Sequence, residues 1–205
     1  MKAGCFLWVL ITLFSAAIAQ DTTRVYGEGN VLRAIGCIEN GAKSGEWLFY
    51  YPQGILCGVE HYQQGKLHGT AVYFDEAGNK LAEENWRHGL QQDSSIYYYS
   101  NGQIEKSGRF ADGQYEGNWV FYWENGKTKR IGNYLNGLPD GLWVFYNSSG
   151  IKEQEGYYSG RKEEGQWLFY NKKGQLRYSG SYTDGKKSGA WYKVSPRGKL
   201  RPYKY

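Results

Sequence analysis

The sequence predicts an all-β protein: an elongated, single-layer antiparallel meander of about seven to eight 24-residue β-hairpin repeats. Three observations predict it. A Gly-x-Trp-x-Phe-Tyr segment recurs in a fixed frame. Glycines recur at two further places in that frame, where the chain must turn. Between them, large apolar residues alternate with period 2, the mark of a strand with two unlike faces. The composition agrees, with 29 glycines, 20 tyrosines, 8 tryptophans and 8 phenylalanines against 4 prolines. An aromatic content of 18% excludes disorder, because it supplies surface to bury. Glycine every few residues excludes a helical chain, since each costs about 1 kcal/mol against alanine in a helix.

The clear copies are led by Gly45, Gly117, Gly141 and Gly165, which stand 24 residues or a multiple apart and place Trp47, Trp119, Trp143 and Trp167 in one column. Weaker copies are led by Gly69, Asp93 and Gly189, and Val25-Tyr26 falls on the Phe-Tyr positions of a degenerate first unit. Units therefore start near residues 21, 45, 69, 93, 117, 141, 165 and 189. A second glycine column runs from Gly54 to Gly198, and an aromatic column from Tyr62 to Tyr182. A third glycine column starts at Gly41 and slips once, where Gly160 stands early and Arg161 takes its place. Each unit then contains a first strand (Trp47, Phe49 and Tyr51 alternating with Leu48 and Tyr50), a turn at Pro52-Gln53-Gly54, a second strand from about Ile55 to Tyr62, and a turn at Gln64-Gly65. Asn40-Gly41, Asn101-Gly102, Asn125-Gly126, Asn136-Gly137, Asp112-Gly113 and Asp184-Gly185 are dipeptides that favour the positive φ of tight hairpin turns.

Residues 1–19 are set apart from residues 20–205. Lys2 precedes an apolar run from Phe6 to Ile18, shorter than the roughly 20 residues a membrane span needs. Ala17-Ile18-Ala19 then fits a small-x-small cleavage site. The expectation is a cleaved signal peptide, a mature chain from Gln20, and a secreted, periplasmic or cell-envelope location. No apolar run precedes Cys5, which argues against a lipid anchor there.

The pattern Gly-x-Trp-x-Phe-Tyr-x-x-x-Gly followed by Gly-x-Tyr, seen in Gly132-Asn133-Tyr134, Gly156-Tyr157-Tyr158 and Gly180-Ser181-Tyr182, resembles the MORN repeat. The 24-residue spacing is most similar to the bacterial MORN-variant group often labelled YwqK-like antitoxin. The resemblance implies a non-catalytic binding or scaffolding array whose partner is another protein, the chain itself or a phospholipid. An antitoxin role fits poorly with export, because a secreted chain does not meet a cytosolic toxin.

In a single sheet, large side chains must cover the faces, so most of these aromatics are expected to pack. The tryptophan column departs from this at Ala71 and Ser95. Either a shallow groove opens over residues 69–100, making Ala71, Trp86, Ser95, Tyr97 and Tyr99 a candidate binding surface, or Trp86 and the Tyr97–Tyr99 run refill the space.

Charge is uneven. Residues 20–112 carry 8 Lys/Arg against 12 Asp/Glu, and residues 113–205 carry 16 against 8. Lys186, Lys187, Lys193, Arg197, Lys199, Arg201 and Lys204 form an acid-free segment suited to an anionic partner, such as an envelope glycan or anionic lipid, or to head-to-tail attraction between copies. A solvated, solubilising tail is the plainer account. No reading motif suggests a nucleic-acid partner.

Cys37 and Cys57 fall on second strands of successive units, with a whole strand between them, about 9.6 Å. Disulfide geometry needs Cα atoms within about 7 Å, so no bridge is expected between them. In an unbroken register, the cross-sheet neighbour of Cys37 is His61. His61, His68 and His88 match no metal-ligand spacing, and no cofactor is indicated. No nucleophile elbow, phosphate loop or zinc-protease motif is present, so no catalytic residue is assigned. Asn147-Ser148-Ser149 is a formal glycosylation sequon, meaningful only in a eukaryotic secretory host.

Overall fold

The computed structural model describes residues 22–195 and 197–204. The expected signal peptide, with Cys5 and Gln20, lies outside the described residues. β1 (Thr22–Tyr26) and β2 (Leu32–Glu39) are joined through a single 3-10 turn, and are followed by β3 (Ala42–Tyr50) and β4 (Leu56–Gln63). Next come β5 (Lys66–Leu67), β6 (Gly69–Phe74), β7 (Lys80–Arg87), β8 (Leu90–Gln91), β9 (Asp93–Tyr98) and β10 (Ile104–Ala111). The regular half contains β11 (Gln114–Tyr122), β12 (Thr128–Leu135), β13 (Leu138–Tyr146), β14 (Lys152–Ser159), β15 (Lys162–Tyr170), β16 (Leu176–Thr183), β17 (Lys186–Val194) and β18 (Leu200–Tyr203). Among the described residues, all 18 strands belong to one open antiparallel sheet in which each strand lies beside the next, a meander. β5 and β8 are two-residue lead-ins to β6 and β9.

One cross-strand row explains why glycine and tryptophan recur together. Gly132, Trp143, Gly156, Trp167 and Gly180 face one another directly across successive strands. Each indole lies over the glycine of the strand before it. A Cβ on Gly132 would sit 2.0 Å from the Trp143 ring, and one on Gly108 would sit 2.2 Å from Trp119. Only glycine leaves room. Each indole N–H also donates to the carbonyl one residue beyond that glycine: Trp47 to Cys37, Trp119 to Arg109, Trp143 to Asn133, Trp167 to Tyr157 and Trp191 to Ser181. These five tryptophans are at most 4% exposed, so they pack as expected. The densest cluster joins Phe110, Trp119, Phe121, Tyr134 and Trp143.

Turns alternate between the two long edges of the sheet. On one edge, Asn40-Gly41 has φ of 51° and 76°, a two-residue turn whose twist matches the flanking strands. Gln64 and His88 adopt the same φ of 51°, although neither residue type signals it. On the other edge, the Gly54 N–H closes on the Tyr51 carbonyl. Asn101-Gly102 and Asn125-Gly126 are turns of this second kind, which corrects the expectation of positive φ at every Asn-Gly dipeptide. Only their glycines have positive φ, and the Asn101 and Asn125 side chains accept the N–H of Gln103 and Lys127.

Neighbouring units are stitched at both edges. The turn N–H groups of Gly65, Gly89, Gly113, Gly137 and Gly185 donate back to Lys43, Leu67, Gln91, Tyr115 and Glu163. Opposite, the side chains of Tyr51, Tyr99 and Trp123 donate forward to the carbonyls of Phe74, Tyr122 and Tyr146.

β3 separates Cys37 on β2 from Cys57 on β4, and the two form no disulfide with each other. The expected alignment of Cys37 with His61 does not hold. Cys37 pairs with Ser44, whereas His61 pairs with Glu46, because a bulge beside Gly36 shifts the register.

Candidate functional site

The face that carries the tryptophans holds a second cross-strand row, in which every first strand contributes a large side chain. In the N-terminal half, small residues separate the aromatics: Ala34, Phe49, Gly58, Tyr73, Ala82 and Tyr97. Further along, Lys106 and Arg130 take the place of the small residues, giving Lys106, Phe121, Arg130 and Phe145; the row then passes through Gln154 and Phe169 and ends in Tyr178, Lys193 and Arg201. The cations lie on rings. Arg130 is 4.0 Å from the Phe121 ring centre, Lys106 is 4.1 Å from that of Tyr97, and Lys187 is 4.4 Å from that of Trp191. Stacking of this kind stabilises a cation while leaving its edge able to meet an anion.

Ala71 and Ser95 occupy the tryptophan row but are 0% and 1% exposed, so neither forms the floor of an open groove. Bulk has moved to the neighbouring column, where Glu60 and Glu84 replace glycine and face Trp47 and Ala71 across the strands. The Glu60 carboxylate accepts hydrogen bonds from Tyr62 and Tyr73, and the Glu84 carboxylate from Trp86 at 3.1 Å and Tyr97 at 2.8 Å. Burial first, and these carboxylates next, push the Tyr62, Tyr73 and Tyr97 hydroxyls well above the ordinary tyrosine range. Without the indole donor, the His61 and Asn85 carbonyls accept the backbone N–H of His68 and Gln92, the residues at which these two first strands break. Trp86 and Tyr97 thus surround Glu84. Tyr99 belongs elsewhere, beside Lys106 and Arg130.

Of the basic segment, Lys187, Lys193 and Arg201 reach the tryptophan face, where Lys193 and Arg201 stand directly opposite each other. Lys187 borders a recess of about 270 Å³ whose other walls are Phe169, Tyr178, Tyr182, Trp191 and Tyr203. Lys186 begins β17 opposite Thr183, Arg197 and Lys199 flank the last turn, and Lys204 follows β18, so these four do not join the cluster. The Glu163 carboxylate lies near Tyr182, whose hydroxyl is raised by burial and then by that carboxylate.

Sequence reasoning missed Lys106, Arg130, Glu60 and Glu84. The signal was available: in the 24-residue frame, Ala34, Gly58, Ala82, Lys106 and Arg130 form one column, and Gly36, Glu60, Glu84 and Gly108 another. Among the histidines, the His68 and His88 rings lie 5.1 Å apart, and His61 Nδ1 meets the Thr70 carbonyl. Among the described residues, no three His, Cys, Asp or Glu side chains gather as a metal site, and no helix is long and apolar enough to cross a membrane.

A one-layer meander whose hairpins repeat and whose two faces lie open is a repeat protein of the binding class. A family model, the MORN repeat variant, matches residues 43–64, 115–136 and 163–184, so the chain carries MORN-variant repeats. No curated protein matches it. Among solved structures, a GtfA/B complex bound to UDP and GlcNAc is 16% identical over 67% of this chain and 22% of that one, with a TM-score of 0.19. A TcdB2–TccC3 structure is 12% identical over 88% of this chain and 13% of that one, TM-score 0.21. A porin-like protein from Bacteroides uniformis is 12% identical over 89% and 92%, TM-score 0.21. The chain spans less than a quarter of the first two proteins.

Proposed function

We propose that this chain is an exported, non-catalytic binding module that holds an acidic glycan along its tryptophan-bearing face. One observation carries the reading: on that open face, Lys106, Arg130, Lys193 and Arg201 share a cross-strand row with Phe121, Phe145 and Phe169. Aromatics recur on every second strand, about 9.6 Å apart, a spacing comparable to a disaccharide step of an extended polysaccharide. Rings stack on the C–H faces of sugars, while the interleaved cations select acidic chains.

The test is binding of the full chain to a polyuronate, a neutral polysaccharide and anionic liposomes across a range of salt. The expected result is salt-sensitive capture of the polyuronate, weakened at least tenfold by joint replacement of Lys187, Lys193 and Arg201 with alanine. Equal binding of neutral and acidic chains, or capture by liposomes alone, overturns it.

A second reading, a protein scaffold, rests on the opposite face. There Leu142 and Tyr157 pair across strands at 45% and 50% exposure, beside Ile131 at 37%. A partner that is pulled down by the wild type and lost in Leu142→Glu supports that reading.

A further inference from the structure

We propose that the cavity beside Arg130 is a subsite for the oxyanion of one acidic sugar residue. The proposal rests on the glycan reading of this face and places its point of strongest charge recognition. The cavity measures about 250 Å³, room for a single sugar ring, and its wall holds three cations, Lys106, Lys129 and Arg130, against one carboxylate, Glu105. Among the described residues, none of the three cations forms an ion pair. Lys106 Nζ spends one proton on the Tyr115 hydroxyl at 2.9 Å, and Lys129 lies over Trp123 at 4.4 Å. The Arg130 guanidinium carbon lies 4.0 Å from the Phe121 ring centre, and its Nε is buried with no hydrogen-bond partner.

Two features select the ligand. The guanidinium rests over the Phe121 ring, which limits its freedom, and its planar fork suits the two oxygens of a carboxylate. The Tyr115 and Tyr134 rings, 4.9 Å apart in the same wall, supply an apolar surface for the sugar that carries it. Lys106 and Arg130 stand on either side of Phe121 in one row, so their long side chains can share a single negative group. The other residues lining this space are Tyr99, Tyr115, Phe121, Tyr122, Tyr134 and Glu105, none of them a cation. In the same column the preceding units carry Ala34, Gly58 and Ala82, so no comparable cationic wall is repeated towards the N-terminus.

The experiment is calorimetric titration of the full chain with a short oligouronate, a sulfated oligosaccharide of equal length and the neutral parent oligosaccharide. The expected order is oligouronate first, sulfated second and neutral without measurable binding. Arg130→Gln should weaken oligouronate binding at least tenfold, and Arg130→Lys should recover only part of it, because it restores charge without the fork. Lys106→Gln should weaken it several-fold and lower the salt dependence, while Lys172→Gln, in an exposed turn, should match wild type. Circular dichroism of each variant separates lost binding from lost fold. If wild type binds the oligouronate and folded Arg130→Gln and Lys106→Gln bind it equally well, the subsite is wrong and the wider reading of the face stands. If wild type binds neither oligouronate nor polyuronate, both fall. Tighter binding of the sulfated sugar overturns the carboxylate assignment.

Discussion

At the scale of single residues, a methyl group is the sharpest probe of the ladder. Gly132→Ala would drive a Cβ into the Trp143 ring, and an overpacked site of this kind costs about 1–3 kcal/mol. Gly58→Ala meets the Tyr73 ring edge at 3.4 Å and the Val72 carbonyl at 3.7 Å, ordinary van der Waals contact, and should cost clearly less than Gly132→Ala. Urea unfolding of the two variants distinguishes them. The exchange of glycine–tryptophan for glutamate–alanine predicts strong coupling as well. Ala71→Trp alone should destabilise, because Glu60 occupies the column where the indole needs glycine. Adding Glu60→Gly should recover at least part of the loss, with a coupling of about 0.5–3 kcal/mol in a double-mutant cycle. The raised Tyr62, Tyr73 and Tyr97 hydroxyls set an alkaline limit. A group whose folded pKa exceeds its unfolded value contributes stability below the unfolded value, and loses it as pH rises towards the folded one. Stability should therefore fall as pH passes above about 10, the unfolded tyrosine value. In Glu60→Gln, the Tyr62 phenolate should form at lower pH, which ultraviolet titration reads directly. These residues show why the reading of the sequence stopped where it did. The columns were visible in the 24-residue frame, but Glu60 belongs to the unit starting near residue 45 and Ala71 to the next, and a frame aligned unit by unit does not show their exchange of bulk.

At the scale of elements, the turns and the stitches between them fix the register. Gln64 occupies a left-handed backbone that costs a non-glycine residue roughly 1–2 kcal/mol and that asparagine tolerates better. Gln64→Asn should therefore raise the unfolding midpoint, recovering a fraction of that cost, as read by thermal unfolding. The Gly160-Arg161 turn lacks the backward N–H stitch that five sister turns make. Strand positions were legible because Trp47, Phe49 and the flanking glycines carry both the alternation and its ends. The bulges were not, since Gly45 and Gly117 look like ordinary turn glycines until their φ of 66° is seen inside a continuous strand. That is why the neighbour of Cys37 was misplaced. His68 and Gln92, where strands break for want of an indole donor, carry no signal of their own.

At the scale of the whole molecule, each 24-residue unit packs against the units beside it, so stability is close to a sum of unit and interface contributions. Deleting residues 141–164, one full period, should leave a folded ribbon whose β circular dichroism per residue is unchanged and whose urea midpoint falls modestly. Deleting twelve residues from the same region should abolish cooperative unfolding, because it brings two like columns onto opposite faces. Charge also has to be judged at this scale: the basic excess of residues 113–205 was plain in the sequence, whereas its division between the tryptophan face and the turns required the fold.

The indole row has an optical consequence. Trp119, Trp143, Trp167 and Trp191 recur on every second strand, about 9.6 Å apart. Excitation absorbed by one of them migrates among the four before emission and scrambles its polarisation. Trp47 sits six strands before Trp119, roughly 29 Å away, beyond the stretch held by Ala71 and Ser95. The chain thus carries a dense indole relay in its C-terminal half and two sparser reporters, Trp47 and Trp86, in its N-terminal half, and the emission anisotropy of each set follows local unwinding of its own half of the ribbon.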